Sequence, residues 1–138
     1  MIAYLDTGVL LRILLKQENR LDLTKLPQEK YSSELLGIEC RRAIDRLRLE
    51  SKLGDEAVAR TMEELLLFER ASGRIRLSRS VLQRSAMPMP TILKTLDAIH
   101  ISSALMLRER KPTDVLFTTH DFQQTTAARA FGFQCSGL

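Results

Sequence analysis

The chain has 138 residues, the size of one domain that can bury a core without disulfides or a structural metal. Hydrophobic residues make up 44% of it and charged residues 28%, with no low-complexity tract, which excludes a disordered or fibrous protein and favours a soluble globular one. Lysine and arginine outnumber aspartate and glutamate by 21 to 17, and the resulting net charge of +4 favours an anionic partner such as nucleic acid.

Several other classes are disfavoured. Cys40 and Cys135 lie far apart, with no C-x-x-C or Cys/His spacing, so buried free thiols are predicted rather than zinc or redox chemistry. No basic leader and no apolar run long enough to span a bilayer is found, so we expect a cytoplasmic protein without membrane contact. Tryptophan is absent and aromatics are only 5%, which favours contact with backbone phosphates over base stacking.

The first half of the chain predicts one strand and three helices. The strand is Ile2–Leu5, and the helices run from Thr7 through Leu14, from about Glu34 to Glu50 behind a Ser32 or Ser33 cap, and from Asp55 to about Ala71. Between the first two helices, a polar interval with Pro27 predicts a connection without a strand.

The second half alternates strands with helices. We predict a strand at Arg74–Leu77, a short helix to Ala86, an extended Met87–Pro90 link, a helix from about Thr95 to Arg110, a strand at Val115–Thr118, a helix from Phe122 to Phe131 and an edge strand from Phe133. Such alternation implies parallel pairing through right-handed crossovers. The expected fold is a single α/β domain over residues 1–138, a three-layer α/β/α sandwich with a short central parallel sheet.

Two acids follow predicted strands directly. Asp6 and Asp121 are therefore placed at the carboxyl edge of the sheet, where open α/β sheets bind ligands. Two carboxylates on one rim suggest cation binding. The alternative for each is to cap the helix that follows it.

Glu39 lies at the margin of the apolar face of its helix. Arg42 and Arg46 share its stripe at i+3 and i+7, and their guanidinium groups are suited to phosphate. The alternative is a solvated ladder of ion pairs between Glu39 and these arginines.

Asp97 stands at the start of a helix that is apolar nearly all round, so it must either cap that helix or bind a cation or base. Thr95 is an alternative cap, which would free Asp97. His100 and His120 lack a spacing typical of metal ligands, so we expect them to bond to backbone or to the adjacent acid. The serine-hydrolase elbow and the glycine-rich nucleotide motifs are absent.

The acids, with their neighbours, resemble the pattern of PIN-domain nucleases, and among them the compact VapC-type toxins of toxin–antitoxin pairs. The matching stretches, which span nearly the whole chain, are Tyr4–Thr7, Val9–Leu11, Ser33–Leu35, Glu39–Ala43, Leu96–His100 and Thr118–Asp121. Gly8 departs from the pattern, because family members often carry Ser or Thr there. The missing hydroxyl would remove a hydrogen bond to Asp6, for which Thr7 or a water could substitute.

The resemblance implies a Mg²⁺- or Mn²⁺-dependent endoribonuclease that forms homodimers and is silenced by a cognate antitoxin protein. Asp6, Asp97 and Asp121 would hold the metal, and Glu39 would complete the cage or orient the attacking water. Arg42 and Arg46 would contact RNA phosphates. Thr7 and Thr119 would hold the acidic side chains in place without binding the metal themselves.

Two other functions stay open at this stage. A PIN-like module could bind RNA or protein without cutting it, and a phosphatase of the haloacid dehalogenase type also places Asp after its first strand. That phosphatase needs a second Asp two positions later, where this chain has Gly8. The run Leu65–Phe68 exceeds what one helix face needs, so we expect it to contribute to a dimer or antitoxin interface.

Overall fold

Five short strands pair in parallel to form a central sheet in the computed structural model, which describes residues 1–138. The strands are β1 (Ile2–Leu5), β2 (Lys30–Ser33), β3 (Gly73–Ile75), β4 (Val115–Thr118) and β5 (Gln134–Ser136). Their order across the sheet is β3-β2-β1-β4-β5, so β1 is central. The expected parallel sheet is thus confirmed.

Six α-helices cover the two faces of the sheet. They are α1 (Thr7–Leu14), α2 (Leu35–Leu49), α3 (Asp55–Ala71), α4 (Arg79–Ser85), α5 (Thr95–Arg110) and α6 (Phe122–Ala130), with one 3-10 turn at Leu23–Lys25. None of them is long and apolar enough to cross a membrane. The bounds of α3 and α5 agree with the prediction, and α6 ends one residue earlier.

Strand β1 shows why the fold has three layers. Successive side chains of a strand point to opposite faces: Ala3 and Leu5 pack with α1, α2 and α3, whereas Ile2 and Tyr4 pack with α4, α5 and α6. All four are buried, and each large apolar side chain so buried contributes about 1.5–3 kcal/mol. The three-layer α/β/α prediction is therefore confirmed.

Strand β2 was not predicted, because it lacks the apolar alternation that marks a strand. Its buried serines bond to the protein instead: the Ser32 hydroxyl donates to the Leu5 carbonyl at 2.6 Å. The Ser33 hydroxyl oxygen accepts from the backbone N–H of Leu35 at 3.1 Å, but the N-cap of α2 is Glu34, so the predicted cap by Ser32 or Ser33 is wrong. Strand β3 is also shorter than predicted and shifted by one residue.

Two predictions about buried side chains need correction. Leu65 and Phe68 are buried, so only Leu66 and Leu67, 43% and 63% exposed, are left of the predicted four-residue apolar surface. Both cysteines are free, as expected, but only Cys40 is buried and Cys135 is half-buried.

The strand order places a crevice at one point of the sheet edge. From β1 the chain moves outward to β2 and β3, and it then returns to the other side of β1 with β4 and β5. In open α/β sheets ligands bind where the order reverses, beyond the carboxyl ends of the strands. Here that point lies between β1 and β4, next to Asp6 and Asp121.

Candidate acidic active site

A cleft of about 510 Å³ opens at this edge of the sheet. Among the residues that line it are Asp6, Thr7, Glu39, Arg42, Arg46 and Asp97. Three of the four predicted acids and both predicted arginines therefore share one cleft. Asp121 does not line it, but is connected to it by Gln124.

Asp6 caps α1, which was the alternative considered for it. Its Oδ2 accepts from the Gly8 N–H at 3.2 Å, while its Oδ1 accepts only a long bond of 3.4 Å from Gln124 Nε2. Burial raises the pKa of Asp6, and the charge of His100 and the Gln124 bond oppose that rise only in part. The cap therefore leaves one oxygen of the buried Asp6 carboxyl group with only this long hydrogen bond.

Asp121 likewise caps its helix. Its Oδ1 accepts from the Gln124 N–H at 2.7 Å, and its own N–H donates to the Thr119 hydroxyl oxygen at 3.1 Å. Oδ2 has no hydrogen-bond partner in the chain, and the residue is exposed. Asp121 thus combines the capping role with one oxygen free for a ligand.

The Asp97 carboxyl group has no hydrogen-bond partner, although the backbone carbonyl of the residue accepts from Gln124. Lys94 is the N-cap of α5 and no side chain caps it, so the predicted cap by Thr95 is wrong and Asp97 does not cap either. Burial raises the pKa of the half-buried Asp97 carboxyl, and the charges of Asp6 and Asp121 raise it further. Of the two roles predicted for Asp97, capping is therefore excluded.

Glu39 is held by two donors on a single oxygen. Its Oε1 accepts from the Thr7 hydroxyl and from His100 Nε2, both at 2.9 Å. Burial favours a higher pKa for Glu39, but the His100 bond and charge and the Thr7 bond outweigh it and lower that pKa. The predicted ladder with arginines is wrong, because Arg42 pairs with Asp45 instead, at 2.8 Å.

His100 is a residue of the site that sequence reasoning set aside. Its side chain is 1% exposed, and its Nε2 lies 3.7 Å from Asp6 Oδ1 as well as against Glu39. Burial lowers the pKa of His100, but the Glu39 bond and the Asp6 charge reverse the sign and raise it. The expected bond to backbone or the adjacent acid is wrong for His100, whereas His120 does contact backbone, the Gly137 carbonyl at 2.6 Å.

Gln124 is the second missed residue, and it touches three of the predicted acids. It is fully buried, and its Nε2 donates to Asp6 Oδ1 and, at 3.3 Å, to the backbone carbonyl of Asp97. Its backbone N–H reaches Asp121, and its Oε1 accepts from the Thr119 hydroxyl at 2.6 Å. Thr119 therefore supports the acids indirectly, by its hydrogen bond to Gln124. Nothing in the polar sequence of α6 distinguishes Gln124 from its neighbours.

The surroundings of Gly8 differ from the expectation. Thr7 does not replace a hydroxyl at Asp6, because its own hydroxyl donates to Glu39. A Cβ atom on Gly8 would lie 3.2 Å from Asp6 Oδ2, a tight contact that a small shift would have to relieve. Gly8 thus leaves room for the Asp6 carboxylate beside the start of α1.

These carboxylates lie near one another, but they do not form a complete metal-binding site. No three His, Cys, Asp or Glu side chains are arranged so that they could hold a metal ion between them. No protein-family model matches the chain, and no curated protein matches it. The resemblance to PIN-domain nucleases stays a prediction, and any assignment of function rests on the site.

Proposed function

We propose that the protein is a metal-dependent endoribonuclease of the PIN type. The observation that carries this proposal is Asp97, a half-buried carboxyl with no donor, whose pKa is raised by burial and by the charges of Asp6 and Asp121. Carboxylates that repel one another attract positive charge, and a divalent cation bound among them would relieve the repulsion. Arginines on the same cleft suit an anionic substrate.

The donor chemistry fits Mg²⁺ or Mn²⁺. Hard divalent cations prefer oxygen ligands, and each of the four acids has at least one oxygen whose nearest hydrogen-bond donor is absent or 3.4 Å away. Asp6, Asp97 and Asp121 would hold the ion, and Glu39 would complete the set or orient the attacking water. When bound, such an ion supplies a water of lowered pKa and positive charge against the phosphate.

Other side chains of the cleft would bind the attacking water and the RNA phosphates. Glu39 Oε1 is saturated by its two donors, so Oε2 is the oxygen that can accept a hydrogen bond from a water. Arg42 and Arg46 lie on the next turns of α2 along the same cleft, where they can contact the phosphates that flank the bond to be cut.

The proposal is tested with purified protein and a structured RNA, with Mn²⁺ or with EDTA. We expect cleavage only with Mn²⁺, and its loss in the Asp6→Asn variant, which keeps the volume of the side chain and removes its charge. Hydrolysis of a small phosphomonoester without RNA cleavage would indicate a phosphatase, and RNA binding without cleavage in Mn²⁺ would indicate a binding module. Either outcome would overturn the proposal.

Removing both arginines should weaken RNA binding without changing its sequence preference. For Arg42→Ala with Arg46→Ala, we expect roughly 10-fold weaker binding, and the slope of log affinity against log salt should shrink by about 1 for each phosphate that is no longer neutralised. Arg110→Ala is the matched control, because Arg110 lies at the far end of α5 from Asp97. Binding measured across several salt concentrations decides this, and an unchanged salt slope in the double variant would contradict the assigned contacts.

The partners follow from the resemblance alone and belong to the same proposal. They are an RNA substrate, a cognate antitoxin and a second copy of the chain in the cytoplasm, with Leu66 and Leu67 as exposed apolar positions available to an interface. Expression of the chain alone should arrest growth, and co-expression of the protein encoded by the neighbouring reading frame should restore it. Unimpaired growth at verified expression would count against a toxin.

A further inference from the structure

His100 joins the two helical layers at the carboxyl edge of the sheet. It belongs to α5, while its partners Tyr4 and Glu39 belong to β1 and to α2 on the opposite face. We infer that His100, held by Tyr4, is a positioning residue that fixes the Glu39 carboxylate with Oε1 bound and only Oε2 open to the cleft. The effect on catalysis rests on the proposed function, but the positioning itself does not.

The hydrogen bonds determine which imidazole nitrogen carries a proton. An ionised carboxylate can only accept, so the 2.9 Å contact with Glu39 Oε1 requires a proton on His100 Nε2. The Tyr4 hydroxyl contacts Nδ1 at 2.8 Å, and it can either donate to a bare Nδ1 or accept from a protonated one. The bond from Nε2 to Glu39 is therefore the same in both charge states of the ring.

Packing leaves the ring no room to turn. His100 and Tyr4 are both fully buried, with their rings edge to face at 5.9 Å between centroids. Tyr4 in turn stacks on Phe117 of β4 at 5.4 Å. Because the core is close-packed, a rotation of the imidazole would have to displace the central strand's own side chains.

Thr7 completes the arrangement around Glu39. Its hydroxyl donates to the same Oε1 and lies 3.1 Å from His100 Nε2, so the two donors converge on one oxygen. Supporting hydrogen bonds of this kind hold a functional carboxylate in one orientation, and their loss typically costs about 10–100-fold in metal affinity or activity. Of the two Glu39 oxygens, Oε2 alone is left free to bind a ligand in the cleft.

The positioning is tested directly by NMR on the wild-type protein without metal or RNA. Correlation of the His100 ring nitrogens with their protons should show Nε2 protonated, with a proton that exchanges slowly with water. A ring protonated at Nδ1 alone would overturn the inference. This measurement does not depend on any variant folding or on RNA cleavage, so a failed nuclease assay leaves it decisive.

The catalytic consequence is tested with a matched pair of variants. His100→Gln keeps a donor close to the position of Nε2, whereas His100→Leu removes it. We expect His100→Leu to lower kcat about 10–100-fold with KM nearly unchanged, and His100→Gln to recover most of that loss. Equal kcat values for two variants of similar thermal stability would overturn the inference, whereas a wild type that does not cut RNA would overturn the proposed function instead.

Discussion

Replacing Asp97 with asparagine should abolish metal-dependent RNA cleavage and, in the absence of metal, stabilise the protein. The carboxyl accepts no hydrogen bond, and burial and the charges of Asp6 and Asp121 raise its pKa. A neutral amide of the same shape removes that repulsion, with a gain of up to about 1 kcal/mol because solvent screens the half-exposed group. The loss of a cation ligand should lower kcat by on the order of 10³-fold.

The size of the gain in stability depends on pH. A raised pKa means that the folded protein holds the Asp97 proton more tightly than the unfolded chain, so the wild type loses stability as pH rises through that range. The advantage of Asp97→Asn should therefore be absent below the ordinary pKa of 3.8 and fully present above the raised one. Thermal unfolding of both proteins in EDTA, from acid to neutral pH, measures it.

Asp114→Asn is the matched control for this prediction. Asp114 is exposed and directly precedes β4, at the opposite edge of the sheet from the cleft. The control should change neither cleavage nor stability in EDTA. An active Asp97→Asn variant, or one that is less stable than the wild type at neutral pH, would contradict the role assigned to Asp97.

Replacing Gln124 with glutamate should destabilise the protein by about 2–4 kcal/mol at neutral pH. Gln124 is fully buried and donates to Asp6 and to the Asp97 carbonyl, so a carboxylate there would be a buried charge facing acceptors and acids. The new group would take up a proton to avoid that cost, so its pKa would be raised. The loss should therefore shrink as pH falls towards 5.

Gln123→Glu is the control, since Gln123 is the exposed neighbour on the same turn of α6. A surface substitution of this kind typically changes the free energy of unfolding by less than about 0.5 kcal/mol. Urea unfolding of both variants at pH 7 and pH 5 separates them. Equal stabilities at pH 7 would show that Gln124 does not lie among the acids as described.

The helices and strands that the sequence predicts well are those whose buried positions are occupied by apolar residues in a recognisable pattern. Strands β1 and β4 are short apolar runs, and six of the nine buried residues of α5 are apolar. Strand β2 leaves no such pattern. Its buried serine hydroxyls form hydrogen bonds with groups such as the Leu5 carbonyl, which are distant in sequence and cannot be predicted from the residues around each serine.

The same distinction holds in the site. Asp6 and Asp121 could be predicted because each follows a strand, and the sheet edge brings strand ends together. His100 and Gln124 could not be placed, since their partners Glu39 and Asp6 lie 61 and 118 residues away in sequence. Strand ends constrain where acids meet, whereas the hydrogen bonds between them depend on tertiary packing.

A crystal grown with Mn²⁺ and examined by anomalous scattering tests the convergence of the acids most directly. We predict one or more peaks in the cleft, within about 2.0–2.3 Å of carboxylate oxygens from Asp6, Asp97 and Asp121, and none in crystals of Asp97→Asn. A map of the wild type with no peak there, and with these carboxylates directed away from one another, would contradict the account.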